Sequence, residues 1–341
     1  MLFAALLLAL RLTPSAPDVP LKQPQMAVAG KTVNLTYGAG NTVYFARSED
    51  AGKTFSPPVK VAQPKALMLG MHRGPRIAMA GDAIVITAIA GEEKGKNVDL
   101  LSWRSADKGK TWSQGMRVND VATSAREGLH GIAAGPNGTL WAVWLDLREK
   151  GMRLMGSLST DAGKTWTPNQ LVYASPDGHI CECCHPTAYV GPNGELYAMW
   201  RNWLSGSRDM YYAVSTDRKT WSAHKLGEGT WPLKACPMDG GGLALDGNGG
   251  FHSAWRRDGV VYAAPANGKE VALGPGKNPS ITANRNGRYV AWTEGTAVKL
   301  MKPDATSPVT VGEGAFPVLA ASDTVYVAWE HEGAIAVEPV R

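Results

Sequence analysis

Residues 135–166, GPNGTLWAVWLDLREKGMRLMGSLSTDAGKTW, contain a turn, two apolar strands and a second turn that ends in tryptophan. The segment LWAVW (140–144) has the aromatic and branched composition of a buried β-strand. The GPNG segment before it (135–138) is typical of a tight turn. No helical periodicity separates the strands, which argues against a parallel sheet with crossover helices. The stretch therefore predicts a unit of consecutive antiparallel strands.

The same unit recurs along the chain at spacings of about 37–56 residues. Its second strand recurs as LYAMW (196–200), FHSAW (251–255), RYVAW (288–292) and VYVAW (325–329), and more loosely within 75–88 and 25–37. Repeated four-stranded units predict an all-β fold, a β-propeller of seven four-stranded blades, with six as the alternative. The first strands are expected near residues 26, 76, 131, 187, 242, 280 and 317. Residues 18–23 are expected to supply the outer strand of the last blade and close the ring.

A second signature follows the third strand of four units. Its copies are SEDAGKTF (48–55), SADKGKTW (105–112), STDAGKTW (159–166) and the shortened STDRKTW (215–221). An aspartate can accept backbone N–H groups across the turn, glycine allows a positive φ, and the aromatic residue can pack between sheets. The aspartates Asp50, Asp107, Asp161 and Asp217 are therefore predicted to stabilise turns and not to act in catalysis.

This signature resembles the Asp-box of the sialidase superfamily. The resemblance implies that the Asp-box turns share one face of the propeller and that a ligand site lies on the opposite rim. Sialidases have six blades, so a count of seven departs from that family. Their chemistry uses three arginines to clamp a carboxylate, a Tyr–Glu nucleophile pair and an aspartic acid.

The catalytic motifs of sialidases are largely missing from this chain. The sequence has Arg76-Ile77 without the family's flanking phenylalanine and proline, and it shows no assignable Tyr–Glu pair. Four arginines remain candidate ligand-binding residues at the rim: Arg76, Arg148, Arg201 and Arg256. The candidate catalytic carboxylates are Glu127, Asp146 and Asp239. A glycan or other anionic ligand is the expected partner, and glycoside hydrolysis is the reaction that the resemblance implies.

The segment CECCHP (181–186) holds three of the four cysteines and leads into the fourth unit. Cys236 occupies the matching position before the fifth unit, so the four sulfurs are expected at one rim. Disulfides are one interpretation. A copper(I) or zinc site is another, with ligands drawn from Cys181, Cys183, Cys184, His185, Cys236, Met238 and His130. Covalent haem on C-x-x-C-H is a third.

Composition and the N-terminus set the remaining expectations. The chain has 341 residues, 44% of them hydrophobic, and a net charge of +5 without a long basic run, which gives no case for nucleic acid. The apolar run Leu2–Leu10 favours a signal peptide over residues 1–16, with an uncleaved anchor or a misplaced start as rivals. Residues 17–341 would then form a single Asp-box propeller in the periplasm or outside the cell, with no further transmembrane segment.

Three functions are compatible with these observations. The first is an exported glycan-binding propeller that could hydrolyse its ligand. The second is a propeller that binds copper or zinc through the cysteine segment. The third is a non-catalytic scaffold for protein assembly.

Overall fold

The computed structural model describes residues 10–13, 19–246, 249–266 and 268–340. Its strands form seven antiparallel sheets whose order follows the chain, which confirms the seven-bladed propeller and excludes six blades. In each blade the first strand is innermost. The inner strands are Leu21–Ala29, Arg76–Ala80, His130–Ala134, Thr187–Val190, Gly241–Leu245, Lys277–Asn284 and Ala315–Ala321. They lie where the repeat predicts them.

The second and third strands complete the body of each blade. The second strands are Thr32–Ala39, Ala83–Glu93, Leu140–Asp146, Leu196–Arg201, Phe251–Arg257, Gly287–Glu294 and Val325–His331. The third strands are Thr42–Ser48, Asn97–Ser105, Arg153–Ser159, Met210–Ser215, Val260–Pro265, Ala297–Met301 and Ala334–Val340. A 3-10 turn at Pro136–Gly138 joins the first two strands of blade 3.

The outer strands are short. In blades 1 to 6 they are Val59–Ala62, Met116–Arg117, Gln170–Tyr173, Ser222–Lys225, Val271–Pro275 and Val309–Glu313. Blade 2 also pairs Ala66–Leu67 with its second strand. Among the described residues, the structure has no helix that is long and apolar enough to cross a membrane.

The ring closes through residues that precede the predicted closing segment. Leu10–Leu12 pairs with the third strand of blade 7 and forms its outer strand. The prediction that residues 18–23 do this is wrong, because Leu21 and Lys22 already pair with the second strand of blade 1. The proposed leader, residues 1–16, lies largely outside the described residues. Cleavage after Ala16 would remove Leu10–Leu12, and export remains a prediction.

The core consists of apolar clusters between neighbouring blades. Each cluster combines residues of two adjacent sheets, as where Leu35 and Tyr37 of blade 1 pack with Ile335 and Val337 of blade 7. An equivalent cluster lies at each of the other six junctions. Because every sheet is covered on both faces, the ring is stabilised by hydrophobic burial between blades.

The four Asp-box turns connect third to outer strands in blades 1 to 4, so they share one face. In blade 3, Asp161 Oδ1 accepts the Thr165 backbone N–H at 2.9 Å, and Oδ2 accepts the Thr165 hydroxyl at 2.6 Å. The Ser159 hydroxyl donates to Asp161 at 2.8 Å. This geometry agrees with the turn-stabilising role predicted for the aspartates.

Candidate functional site

The seven inner strands surround a central cavity of about 180 Å³ that opens on the face opposite the Asp-boxes. Residues from all seven blades line it, including Gln25, Ile132, Ser280 and Leu319. A concave site with contributions from every blade is a common place for a ligand. We use the name channel mouth for a group of six residues. His72, Arg76 and His185 line the cavity, and Asp239, Asn278 and Phe316 pack against His72.

Near the start of three inner strands, one residue has a left-handed backbone conformation. Gln23, Asn278 and Phe316 have φ values of 55°, 55° and 53°, and each is followed by proline. Left-handed backbone is costly for these residue types and often occurs at functional sites. The left-handed residue interrupts regular strand pairing, because the register of each inner strand with its second strand shifts at all three positions. The recurring X-Pro pair was a sequence signal that could have marked the mouth.

Two histidines stack at the centre of the mouth. The ring centroids of His72 and His185 are 4.3 Å apart, and the Phe316 ring meets His72 edge-on at 5.2 Å. Burial lowers the pKa of His72 and lowers that of His185 well below its ordinary value. Both rings are therefore neutral near pH 7 and can accept a proton. His185 lies where the sequence places it, whereas His72 was not among the predicted catalytic, ligand-binding or metal-binding residues.

A carboxylate and an amide orient His72. Its Nε2 atom lies 3.0 Å from Asn278 Oδ1 and 3.7 Å from Asp239 Oδ1. Asp239 is 1% exposed, and its Oδ2 accepts the Asn278 backbone N–H at 2.8 Å. Its Oδ1 has no hydrogen-bond partner among the described residues. Asp239, a predicted catalytic carboxylate, thus lies at the mouth with one oxygen free.

Arg76 provides a positive charge beside the histidines. It is 8% exposed and donates to the carbonyl oxygens of His72 and Pro75, the latter at 3.1 Å. Its charge contributes to the lowered pKa of both His130 and His185, after their burial. Of the four predicted ligand-binding arginines, Arg76 is the one that lines the cavity.

Arg201 and Arg256 lie between blades 4 and 5 and support the structure there. The Arg201 guanidinium donates to the carbonyl oxygens of Asp239, Arg208 and Arg256 at 3.1, 2.9 and 2.8 Å. Both arginines stack on Trp231, at 5.2 and 5.7 Å from the ring centre. Arg201 is 1% exposed and all three of its guanidinium nitrogens donate to backbone carbonyls, so it is unsuited to clamp a ligand.

Asp146 and Arg148 pair with each other at the end of a strand in blade 3. Arg148 Nε lies 2.9 Å from Asp146 Oδ1 and Nη2 lies 3.1 Å from Oδ2. Asp146 is fully buried and also accepts hydrogen bonds from Ser124 and Trp144, both at 2.7 Å. With every oxygen occupied, this carboxylate fits a structural role better than the predicted acid–base role.

Glu127 and His130 lie beside blades 2 and 3. Glu127 is half-buried, 3.8 Å from Arg73 Nη2, and burial raises the pKa of its carboxyl. His130 is buried, and its Nε2 lies 3.0 Å from Thr87 Oγ1. Neither residue is part of the sulfur group described next, so the predicted metal set is not assembled around His130.

The three cysteines of CECCHP form a buried group that we call the thiol cluster: Cys181, Cys183 and Cys184. Their sulfur atoms all lie within 4.8 Å of one another. The Cys181 and Cys184 sulfurs are 3.1 Å apart, longer than the roughly 2.05 Å of a disulfide. All four cysteines are free in the structure, and a disulfide remains a prediction.

The second cysteine segment meets the first, as its matching position predicts. Met238 packs against the thiol cluster. Cys236 is exposed and close enough to Cys183 for a hydrogen bond that contributes to the raised pKa of that thiol, after the larger effect of Cys181. Arg208 and Trp203, which the sequence did not single out, complete the surroundings of Cys181.

Comparison with known proteins identifies a family match and proteins of similar fold. Residues 79–237 match the family described as BNR repeat-like domain. The match covers blades 2 to 4, which is less than half of the chain. The comparison with curated proteins gives no match.

Solved structures resemble this seven-bladed propeller over most of its length. An α-L-arabinanase from Penicillium chrysogenum complexed with arabinobiose is 14% identical, with 98% of each chain covered and a TM-score of 0.58. An ulvan lyase is 12% identical, with 97% and 96% covered and a TM-score of 0.60. A Hadza microbial sialidase is 14% identical, with 92% and 74% covered and a TM-score of 0.53. At these identities, the likeness establishes the fold.

Proposed function

We propose that this propeller binds an acidic glycan at the channel mouth and that His72 transfers a proton there. The observation that carries the proposal is the Asp239–His72 contact beside the buried Arg76 charge at the opening of the central cavity. A carboxylate that orients a neutral imidazole is a common arrangement for general acid–base chemistry. A positive group that is excluded from water favours an anionic ligand.

The chemistry of each group follows from its contacts. With the Nε2 proton of His72 directed at Asn278 Oδ1, its Nδ1 atom is the basic one. Asp239 stabilises the imidazolium that forms when His72 accepts a proton. Asp239 Oδ1 is buried without a hydrogen-bond partner among the described residues, and it faces His72 Nε2 at 3.7 Å. Arg76 supplies a fixed positive charge for an acidic sugar.

The related folds support a glycan as the ligand class. One neighbouring structure contains arabinobiose, and another ulvan lyase structure contains a -[GlcA(1-4)Rha3S]- oligosaccharide. The second of these ligands is anionic, which suits the positive charge of Arg76 at the mouth. Export to a compartment with extracellular glycans is part of the same proposal.

Binding of three defined glycans by isothermal titration calorimetry tests the proposal. The anionic probes are a GlcA-Rha3S oligosaccharide and sialyllactose, and arabinobiose is the neutral probe. We expect an anionic probe to bind more tightly than arabinobiose. His72→Asn should weaken that binding about 10-fold or more, as expected for loss of a strong hydrogen bond. Product formation from the bound probe would then be followed by mass spectrometry.

His224→Asn is the matched control, since His224 is exposed on the outer strand of blade 4, far along the sheet from the mouth. It should leave binding unchanged. Preference for arabinobiose, or equal losses in the two variants, would overturn the proposal. If none of the three glycans binds, the scaffold function becomes the better explanation.

A further inference from the structure

The thiol cluster lies next to the channel mouth but takes no part in the proposed glycan chemistry. Cys181, Cys183 and Cys184 are 1%, 7% and 1% exposed. Burial makes thiolates costly unless a cation compensates them, so ionised cysteines in this water-excluded pocket require a positive partner. The arrangement therefore needs an explanation that is separate from glycan binding.

We propose that the thiol cluster is a copper(I) site in which the three cysteines are the ligands. Metal–sulfur bonds of about 2.3 Å place sulfurs that share one ion roughly 4 Å apart. The Cys181 sulfur lies 3.1 Å from that of Cys184 and 3.7 Å from that of Cys183, and all pairs are within 4.8 Å. Small side-chain rotations bring these distances to the required value.

The donor set selects copper(I). Every ligand atom of the cluster is sulfur, and soft thiolate and thioether donors favour copper(I). Zinc usually takes four ligands in a tetrahedron, whereas the buried thiol cluster offers three. His130 bonds to Thr87, and His185 stacks on His72, so neither joins the sulfur group. Met238 covers the cluster with a thioether, which is also a soft donor.

Two arginines balance the charge of this site. Arg208 Nη1 lies 3.0 Å from the Cys181 sulfur, and the guanidinium is fixed over the Trp203 ring at 4.5 Å. The charge of Arg201 acts on Cys184. Three thiolates, one copper(I) ion and two guanidinium groups have no net charge. A disulfide between two of the thiols would leave these arginines opposite neutral sulfur.

Cys236 gives the buried site a connection to solvent. It is exposed, and it neighbours Cys183. It lies within residues 233–240, which separate Pro232 from the inner strand of blade 5. An exposed thiol beside a buried thiol group can receive copper(I) and pass it inward by ligand exchange. We therefore assign Cys236 to uptake and the thiol cluster to retention.

The test is an anaerobic titration of the reduced full-length chain with copper(I), in competition with a chromogenic copper(I) chelator. We expect one copper(I) per chain in the wild type. Cys183→Ser should lower the affinity about 100-fold or more through loss of a ligand. The matched variant Cys236→Ser should change the equilibrium affinity less than about 3-fold but slow the uptake of the ion.

Two measurements on the wild type keep the proposal falsifiable if Cys183→Ser fails to fold. X-ray absorption of the copper-loaded chain should show sulfur-only coordination, and nitrogen or oxygen ligands would overturn the assignment. Alkylation of the unreduced, metal-free chain in denaturant, followed by mass spectrometry, should find four free thiols, whereas two would indicate a disulfide and overturn the assignment. Tighter binding of zinc than of copper(I) would overturn it as well. None of these results depends on glycan binding.

Discussion

Blades 1 to 4 and blades 5 to 7 pack against their neighbouring blades through different structural elements. In the first group, an Asp-box turn places Phe55, Trp112, Trp166 or Trp221 against the preceding blade. Blades 5 to 7 have no Asp-box. Their junctions carry a G-x-G-x-x-P segment instead, as GEGTWP (227–232), GPGKNP (274–279) and GEGAFP (312–317).

In the second group the strand-end tryptophan makes the contact between blades. Trp292 Nε1 donates to the Pro275 carbonyl at 3.0 Å, and Trp329 Nε1 donates to the Glu313 carbonyl at 2.8 Å. Glycine next to these carbonyls leaves room for the indole. Contacts between blades can therefore be stabilised by a charged, hydrogen-bonded turn or by close steric fit. We expect these two kinds of contact to respond differently to substitution and to acid.

The largest loss of stability is expected for Gly314→Ala, because Gly314 packs very closely against Trp329 and Glu330. A Cβ there would lie 2.1 Å from the Glu330 carbonyl oxygen and 2.6 Å from Trp329 Cδ1, at a φ of 143°. We expect the free energy of unfolding to fall by about 3 kcal/mol, because overpacking and backbone strain combine. Urea unfolding followed by tryptophan fluorescence measures it.

Gly295→Ala is the matched control in the same part of the ring. Its φ is 59°, and no atom lies within 4 Å of the added Cβ. It should cost about 1 kcal/mol from backbone strain alone. Equal effects of the two substitutions would contradict the role of steric fit in blades 5 to 7.

A smaller effect is expected for Asp161→Asn in the Asp-box of blade 3. The substitution removes the charge that accepts hydrogen bonds from Lys164 and Thr165. We expect a loss of about 1 kcal/mol in the free energy of unfolding. Asp304→Asn, in an exposed turn of blade 6 at a φ of 58°, makes the same chemical change and should have little effect. A loss of equal size at Asp304 would contradict the comparison.

The smallest expected effect is a local loss of stability in the Asp-box blades at acidic pH. Hydrogen bonds from Thr54 and Thr111 lower the pKa values of Asp50 and Asp107 to about 2. A carboxyl whose folded pKa lies below its unfolded value contributes stability above the unfolded pKa, near 4. That contribution is lost as the pH falls from about 4 to about 2. Blades 1 to 4 should therefore loosen before blades 5 to 7.

Pepsin digestion at pH values between about 4 and 2, with the cuts located by mass spectrometry, measures this order. The earliest cuts should fall within residues 21–225. First cuts within residues 241–340 would show that the Asp-box turns do not make their blades sensitive to acid.

Much of the fold could be predicted because its signal is local and repeated. Strand-end aromatics and Asp-boxes recur in sequence, so the pattern predicts the inner strands and favours seven blades over six. The closing strand could not be predicted in this way. Pairing of Leu10–Leu12 with blade 7 joins the two ends of the chain, and no local pattern encodes that contact.

The candidate site was predicted less completely for a related reason. An arginine at a strand end has the same local sequence whether it faces a cavity, as Arg76 does, or three backbone carbonyls, as Arg201 does. Asp146 and Asp239 look alike in sequence, yet one has every oxygen occupied and the other has an oxygen free. Only contacts between blades separate these cases.

The sequence by itself determined the propeller fold, the turn role of the Asp-box aspartates and the meeting of the two cysteine segments. Each depends on repeat position, which strand periodicity converts directly into a place in the propeller. The tertiary structure alone decided that His72 stacks on His185 beside Asp239 and that Arg208 faces Cys181. These groups come from different blades, and their distances, burial and charge balance arise only when the ring closes.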